Sequence, residues 1–155
     1  MDNEIRLLNQ AIRHLLTSGE NAPSGEELTG LSREILDRAD RLYPSCGQTA
    51  TEEASLCATL LMAYNTSMYG PADRLERVNA LLRRAEAVLP LLGSDVPERV
   101  RLLAWCFAEV EEESLLLEAE AIVAGWARPL TGDRLLAAGE VALMRESLII
   151  TPHET

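Results

Sequence analysis

An acidic run near position 110 is the strongest candidate in the sequence for a metal-binding or catalytic site. Six glutamates occur there within twelve positions: Glu109, Glu111, Glu112, Glu113, Glu118 and Glu120. Carboxylates three positions apart lie on one face of a helix, where they can act together on a hard cation. Glu109 and Glu112 have this spacing, so they are the first candidates for a Mg²⁺ site.

A metal-dependent hydrolase would need more than this one pair of glutamates. All-α nucleotide pyrophosphohydrolases, for example, follow an ExxE pair with a later ExxD pair, and two helices together hold the metal. Asp133 is the only later aspartate, and Leu130 stands three positions before it where a glutamate is needed. The hydrolase stays an alternative, and we interpret the glutamates as a solvated acidic edge beside a helix–helix turn.

Histidines and cysteines do not supply a second catalytic arrangement. His14 and His153 lie near opposite ends of the chain, and neither has a partner at metal-ligand spacing. Cys57 and Cys106 have apolar neighbours at helical spacing and are predicted to be small core residues. Cys46 falls in a predicted loop, without a nearby histidine to activate its thiol. We therefore predict no catalytic residue, no bound metal and no cofactor.

The charge balance excludes several classes of partner. The chain has 155 residues and a formal net charge of −11, and its 14 basic residues are all arginine. Such a chain is a poor candidate for binding nucleic acid or an anionic membrane, because both require clustered cations. It begins without the basic segment of a secretory signal, and its apolar stretches are too short to span a bilayer. Three cysteines without CxxC spacing suit a reducing compartment. We expect a soluble cytoplasmic domain.

An all-α fold is predicted because leucine and alanine dominate and no segment alternates polar and apolar residues. Apolar stripes of helical period, separated by proline and glycine breaks, indicate about seven helices. Ser24 with Glu27, and Thr49 with Glu52, have capping-box spacing, and Asp95 is the predicted cap of the fifth helix. The predicted helices cover about residues 2–18, 24–43, 49–70, 71–90, 95–111, 114–128 and 131–147.

Residues 100–126 are not predicted to form one long helix. Val100 and Phe107 mark one apolar face, whereas Leu115 and Trp126 mark another, which is rotated by about 80° on a single ideal helix. Glu111 would lie between these faces, on the buried side. A break at 111–114 removes the conflict and places Trp126 in the core.

Helices of similar length joined by short loops indicate consecutive αα-hairpins. Seven helices can share one core, which favours a compact bundle over residues 1–148, with 149–155 as a frayed tail. A short tetratricopeptide-like stack stays open as an alternative, because the similar segments AEAVL at 85–89 and AEAIV at 119–123 lie 34 residues apart. A stack of that kind would make the protein a helical adaptor for peptide tails.

The segment at 41–70, RLYPSCGQTATEEASLCATLLMAYNTSMYG, resembles the middle of the UpxZ family. The likeness is carried by Leu42–Pro44, Gly47, Thr49, Glu52–Ala54, Leu56–Cys57, Leu60–Met62, Tyr64 and Ser67–Tyr69. A second patch has a similar order and spacing: Glu109–Val110, Glu118–Ala119, Ala121–Ile122, Trp126 and Leu130–Thr131. The departures lie at both ends of the chain.

The resemblance implies a transcription regulator without catalytic activity. Members of the family oppose NusG-like antiterminators, which let RNA polymerase traverse the long operon of one capsular polysaccharide locus. The implied partner is therefore a NusG-like antiterminator protein, and direct contact with nucleic acid or a membrane is not expected.

A surface for that partner can be proposed from charge and residue type. A cluster of carboxylates would steer and dock a basic protein, and aromatic side chains would anchor it. Trp105 falls off the best apolar face of its helix, which makes it the better contact candidate of the two tryptophans. The expected contact residues are Glu109, Glu111, Glu112, Glu113, Tyr69 and Trp105.

Overall fold

The computed structural model describes residues 1–16, 22–67 and 72–150, with side chains up to residue 148. These ranges form seven helices: α1 (Asp2–Leu15), α2 (Gly25–Leu42), α3 (Ala50–Thr66), α4 (Arg74–Val88), α5 (Pro97–Val110), α6 (Glu113–Gly125) and α7 (Gly132–Ile150). A 3-10 turn at Leu89–Leu91 follows α4, and the described residues contain no strand. The predicted all-α fold is confirmed. None of the helices in these ranges is both long and apolar enough to cross a membrane.

Side-chain caps begin α2 and α3 where the capping-box spacing predicts them. The Glu27 amide donates to Ser24 Oγ at 3.5 Å, and the Glu52 amide donates to Thr49 Oγ1 at 3.1 Å. The Glu52 carboxylate in turn accepts from the amide of Gln48 at 2.7 Å. These bonds satisfy amides that have no partner within the helix, so the chain begins both helices at defined residues.

The cap predicted at Asp95 is wrong. Val96 is the N-cap of α5 and no side chain caps this helix, which begins with Pro97. Proline has no N–H, so one of the amides that a cap would satisfy is missing from the start. The backbone carbonyl of Asp95 instead accepts from Trp126 Nε1 at 2.8 Å.

Two further helix predictions need correction. Leu75, predicted to be buried, is 68% exposed, because the buried face of α4 centres on Val78, Leu81 and Val88. Leu75 lies about 100° around the helix from the centre of that face. The last helix, predicted to fade near residue 147, continues to Ile150. The predicted first-turn proline of α4, Pro71, and the tail with His153 lie outside the described residues.

Two helices, α3 and α5, form the centre of the molecule. α3 packs against α1, α2, α4 and α5, whereas α5 packs against α3, α4, α6 and α7. Every residue from 56 to 64 in α3 and from 100 to 107 in α5 is buried. A helix that is enclosed on all sides needs no polar face, so an amphipathic stripe describes these two helices poorly.

The odd-numbered helices also meet at a buried ion pair. Arg101 of α5 and Glu140 of α7 are 8% and 6% exposed, with Nε and Oε1 2.8 Å apart. Asn9 of α1 accepts from Arg101 Nη2 and donates to Thr59 of α3, and Arg13 of α1 contacts Glu140 Oε2 at 3.0 Å. Because α1 thereby contacts α7, the helices close into the predicted compact bundle, whereas repeats in an open stack contact only their neighbours.

A salt bridge between α3 and α4 holds the loop that follows α2. Arg84 Nε and Nη2 lie 2.8 and 2.9 Å from the two carboxylate oxygens of Glu53, and Nη2 also donates to the Ser45 carbonyl. The Gly47 amide donates to Glu53 Oε1 at 2.8 Å. The loop comes so close to α3 that a Cβ on Gly47 would lie 2.2 Å from the backbone nitrogen of Glu53. Only glycine fits there without a shift of the backbone.

Gly47→Ala should therefore destabilise the fold. Forcing a methyl group into a packed site costs about 1–3 kcal/mol, and the clash here is with backbone, which cannot rotate away. Urea unfolding would measure the change in the free energy of unfolding. Gly30→Ala is the matched control, since Gly30 lies in α2 and no heavy atom outside its own stretch of helix lies within 4 Å of its Cβ position. That change should stabilise by about 0.5–1 kcal/mol, and equal effects of the two variants would contradict the close approach at Gly47.

The Arg84–Glu53 pair should also make stability depend on pH. Hydrogen bonds from Arg84 lower the pKa of Glu53, and the Gly47 amide acts in the same direction. A carboxyl whose pKa is lowered by folding stabilises the fold above its unfolded pKa, about 4.3, and this contribution is lost as the pH falls through the folded value. The stability difference between wild type and Glu53→Gln should be largest near neutral pH and shrink below about pH 4. Urea unfolding at a series of pH values would test this, and a difference that does not shrink would refute it.

Candidate functional site

The turn between α5 and α6 forms an acidic corner, defined here as Glu109, Glu111, Glu112 and Glu113. Glu111 ends α5 with φ 57° and ψ 27°, the left-handed region, and its amide donates to the Phe107 carbonyl at 2.8 Å. Glu112 is extended, and α6 begins at the next residue. The predicted break at 111–114 is confirmed.

Glu109 differs from the other three glutamates because α3 and α4 hold its carboxylate. Its Oε2 lies 3.0 Å from Arg74 Nη2 and accepts from Asn65 Nδ2 at 2.9 Å. The side chain is 11% exposed. Arg74 also donates through Nε to the Tyr64 carbonyl, near the end of α3. Glu109 thus ties the ends of three helices together, and its charge is neutralised by a neighbour.

The remaining glutamates of the corner are exposed to solvent. Glu111, Glu112 and Glu113 are consecutive in the chain. Among the described residues, Arg145 of α7 is the cation that contacts them, through Glu113. Arg145 Nη1 lies 3.6 Å from Glu113, but its shorter bonds, 2.9 and 2.7 Å, go to Glu120. Arg145 accordingly lowers the pKa of Glu120. The corner therefore carries negative charge that one arginine only partly offsets.

The α5 backbone adds to this negative charge. The carbonyl groups of the last turn of a helix carry a partial negative charge equivalent to roughly half an electron. Glu109 and Glu111 lie at that end of α5, where backbone and side chains have the same sign. Glu113 instead lies in the first turn of α6, where the helix N-terminus carries a partial positive charge. Acidic side chains at a helix C-terminus destabilise the helix slightly, whereas a basic partner protein would be attracted to the same place.

The structure corrects the position expected for one predicted anchor, Trp105. Its side chain is 1% exposed, and Nε1 donates to Glu140 Oε1 at 2.9 Å. Since α5 is enclosed on all sides, a residue off its best apolar face is still buried. Tyr69, the other predicted anchor, lies outside the described residues. Trp126 is buried as predicted, with the Arg134 guanidinium 5.2 Å from the centre of its ring.

The structure also shows where the three cysteines and the ExxE pair lie, which are the other candidates for catalysis or metal binding. Cys57 and Cys106 are buried as predicted, and burial raises the pKa of each thiol to about 12. Cys46 is exposed in its loop, also as predicted. Within residues 1–16, 22–67 and 72–150, no three His, Cys, Asp or Glu side chains group as a metal would require. The ExxE pair is separated by the turn, and its first member contacts Arg74.

Sequence reasoning missed the residues that shape the corner. Asn65 and Arg74 come from α3 and α4, at separations of 44 and 35 residues from Glu109, and Arg145, which contacts Glu113, comes from α7. No local spacing links them. The sequence provides only the observation that six glutamates lie close together and must be partly neutralised by cations from elsewhere.

Comparison with known proteins decides the family. The model of the UpxZ family of transcription anti-terminator antagonists matches residues 5–108. The chain belongs to this family. Its fold is also similar to the crystal structure of a transcription anti-terminator antagonist UpxZ from Bacteroides uniformis, with a TM-score of 0.79 and 25% identity, over 99% of this chain and 97% of that one. No match was found among curated proteins.

The structural match covers more of the chain than the family match does. The family match ends one residue before Glu109, so it includes α1 to α4 and most of α5 but not the exposed glutamates of the corner. The structural match extends over α6 and α7. This chain thus belongs to a family of transcription anti-terminator antagonists, and its whole fold is similar to that of a solved UpxZ protein.

The left-handed conformation of Glu111 gives a testable prediction about the corner. Glu111→Gly should raise the free energy of unfolding by about 0.5–1 kcal/mol, because glycine adopts positive φ without the Cβ penalty. Glu111→Ala is the matched control: it removes the same charge but keeps a Cβ at positive φ, so it should not gain this stability. Urea unfolding compares the two, and equal changes in stability would refute the left-handed turn.

Proposed function

We propose that this UpxZ family member opposes a NusG-like antiterminator by direct protein–protein binding and without catalysis. The observation that carries the proposal is the family match over residues 5–108, since its members are described as anti-terminator antagonists. Binding is the simplest way for a small protein to oppose another.

The acidic corner is the surface that we assign to this partner. Glu111, Glu112 and Glu113 are exposed and consecutive, and one arginine contact at 3.6 Å neutralises them only in part. Basic proteins that process RNA present arginine and lysine clusters. Charge-assisted hydrogen bonds between such a cluster and the corner would position the antiterminator. The neutralised Glu109 supports the corner from behind by joining α3, α4 and α5.

Occupation of the partner's basic surface would explain the antagonism. An antiterminator needs its basic side chains to bind RNA or RNA polymerase. An acidic protein that covers these side chains competes with both. The net charge of −11 makes this chain suited to that competition. By resemblance to its family, we place it in the cytoplasm, where it would block the antiterminators of other capsular polysaccharide loci.

A titration with purified antiterminators tests the proposed function. The protein would be added to NusG-like antiterminators from its own and from other capsule loci, at low and moderate salt, with binding followed by calorimetry. We expect tight, salt-sensitive binding to the non-cognate proteins and weak binding to the cognate one. An absence of binding to every free antiterminator would refute direct capture of the free protein.

Charge reversal tests the surface separately from the function. Changing Glu111, Glu112 and Glu113 to arginine should slow association about tenfold or more at low salt and flatten its salt dependence. The matched control reverses three exposed acids on α1 and α2, Glu4, Glu26 and Asp37, which changes the net charge equally. Stopped-flow fluorescence gives both association rates. Equal slowing by the two variants would show that net charge alone is responsible, and the acidic corner would lose its assigned role.

A further inference from the structure

A cleft of about 800 Å³ lies at the end of α5 opposite to the acidic corner. It is bounded by α1, α5, α7 and the first turns of α3. Near its mouth are Asp2, Thr51, Glu98 and Asp133, each from the first turn of a different helix. The four helices therefore start at the same end of the bundle. A cleft of this volume can hold a small molecule or a short peptide segment.

Three arginines line this cleft, and only Arg101 among them is buried. Arg6 and Arg13 are seven residues apart, which places them on one face of α1, and Arg101 faces them from α5. Arg101 is 8% exposed, and Glu140, Asn9 and Thr59 together hold its guanidinium. A guanidinium fixed in this way loses little side-chain entropy when it binds a ligand.

Arg13 and Arg101 lie close together because they contact the same carboxylate. Arg101 Nε is 2.8 Å from Glu140 Oε1, and Arg13 Nη2 is 3.0 Å from Oε2. Burial lowers the pKa of Arg13, and the nearby Arg101 lowers it further, although Glu140 and Asp133 act in the opposite direction. The charged form of Arg13 is thus less stable here than in water. An anion placed against both guanidiniums would relieve that cost.

The acidic side chains at the mouth decide which anions can enter. Asp2, Glu52, Glu98 and Asp133 line the same cleft and would repel a polyanion such as RNA. They would instead attract a cation carried next to the anion. The cleft also presents uncharged hydrogen-bonding side chains, including Gln10, Thr51 and Ser55, which suit peptide groups.

We propose that this cleft binds a carboxylate that has a cationic group beside it, as in a mixed-charge peptide segment or a free amino acid. The carboxylate pairs with Arg13 and Arg101 in the interior. The cationic group lies toward Glu98 and Asp133 at the mouth. This inference does not depend on the proposed antiterminator contact, because the cleft and the acidic corner lie at opposite ends of α5.

Calorimetry with defined peptides tests the ligand chemistry. The probes are the tripeptides Lys-Gly-Glu, Glu-Gly-Glu and Lys-Gly-Lys, each acetylated at the N-terminus and amidated at the C-terminus so that only side chains are charged, together with free glutamate and inorganic phosphate, each up to about 10 mM. We expect Lys-Gly-Glu or glutamate to bind more tightly than the other three. Stronger binding of the tripeptide identifies a peptide segment as the source of the ligand, and stronger binding of glutamate identifies a free amino acid. Tightest binding of Glu-Gly-Glu, Lys-Gly-Lys or phosphate, or no heat with any probe, would overturn the proposal.

Two variants locate the binding in the cleft. Arg13→Gln removes one guanidinium, and Thr51→Trp fills the mouth from an exposed position without changing any charge. Each should weaken binding of the preferred probe about tenfold or more, whereas Arg33→Gln, an exposed arginine on α2, should leave it unchanged. Thermal unfolding checks that the variants are folded. If Arg13→Gln does not fold, Thr51→Trp decides, and its unchanged affinity would refute the assignment.

Discussion

Arg101 and Glu140 form an ion pair within a core that is otherwise almost entirely apolar, and the arrangement of four helices depends on it. Removing two charges from water is expensive, so both side chains need full sets of partners. Besides Arg101, Glu140 has Trp105 and Arg13 as hydrogen-bond partners. Besides Glu140, Arg101 has Asn9 and Thr59. These partners come from α1, α3, α5 and α7, so a shift of any one helix would leave a buried charge without a hydrogen bond. An apolar core alone would tolerate several registers of these helices, whereas this network specifies one.

The same network determines where the two candidate sites lie. It fixes α5, which is buried along residues 100–107 and exposes only its ends. One end carries the acidic corner, with its partly neutralised glutamates, and the other borders the arginine-lined cleft. The interaction surfaces of this fold are therefore restricted to the rims of the bundle and to the outer helices. The buried pair connects these features, since Arg101 belongs both to the core network and to the lining of the cleft.

Sequence reasoning succeeded where a local rule governs the structure. The caps at Ser24 and Thr49 and the break at Glu111 follow from spacings of a few residues, and the structure confirms them. It failed where tertiary packing overrides those rules. Trp105 lies off the apolar stripe, yet neighbouring helices cover that side of α5 as well, so the periodicity could not show its burial. The partners of Glu109 and Glu140 come from distant parts of the chain, and one sequence contains no signal that identifies them.

Ion pairing divides the glutamates into two groups. In one group an arginine neutralises the carboxylate within the fold, and in the other the carboxylate faces solvent. Glu109 and Glu140 each contact an arginine within 3.0 Å, and their charges are used within the fold. Glu111, Glu112 and Glu113 share one weak contact at 3.6 Å. At physiological salt, exposed charges interact over about 8 Å, so only the carboxylates at the surface can act on an approaching protein. The acidic run at 109–120 therefore combines two functions: its first member joins three helices, and the next three present a charged surface whose position those helices determine.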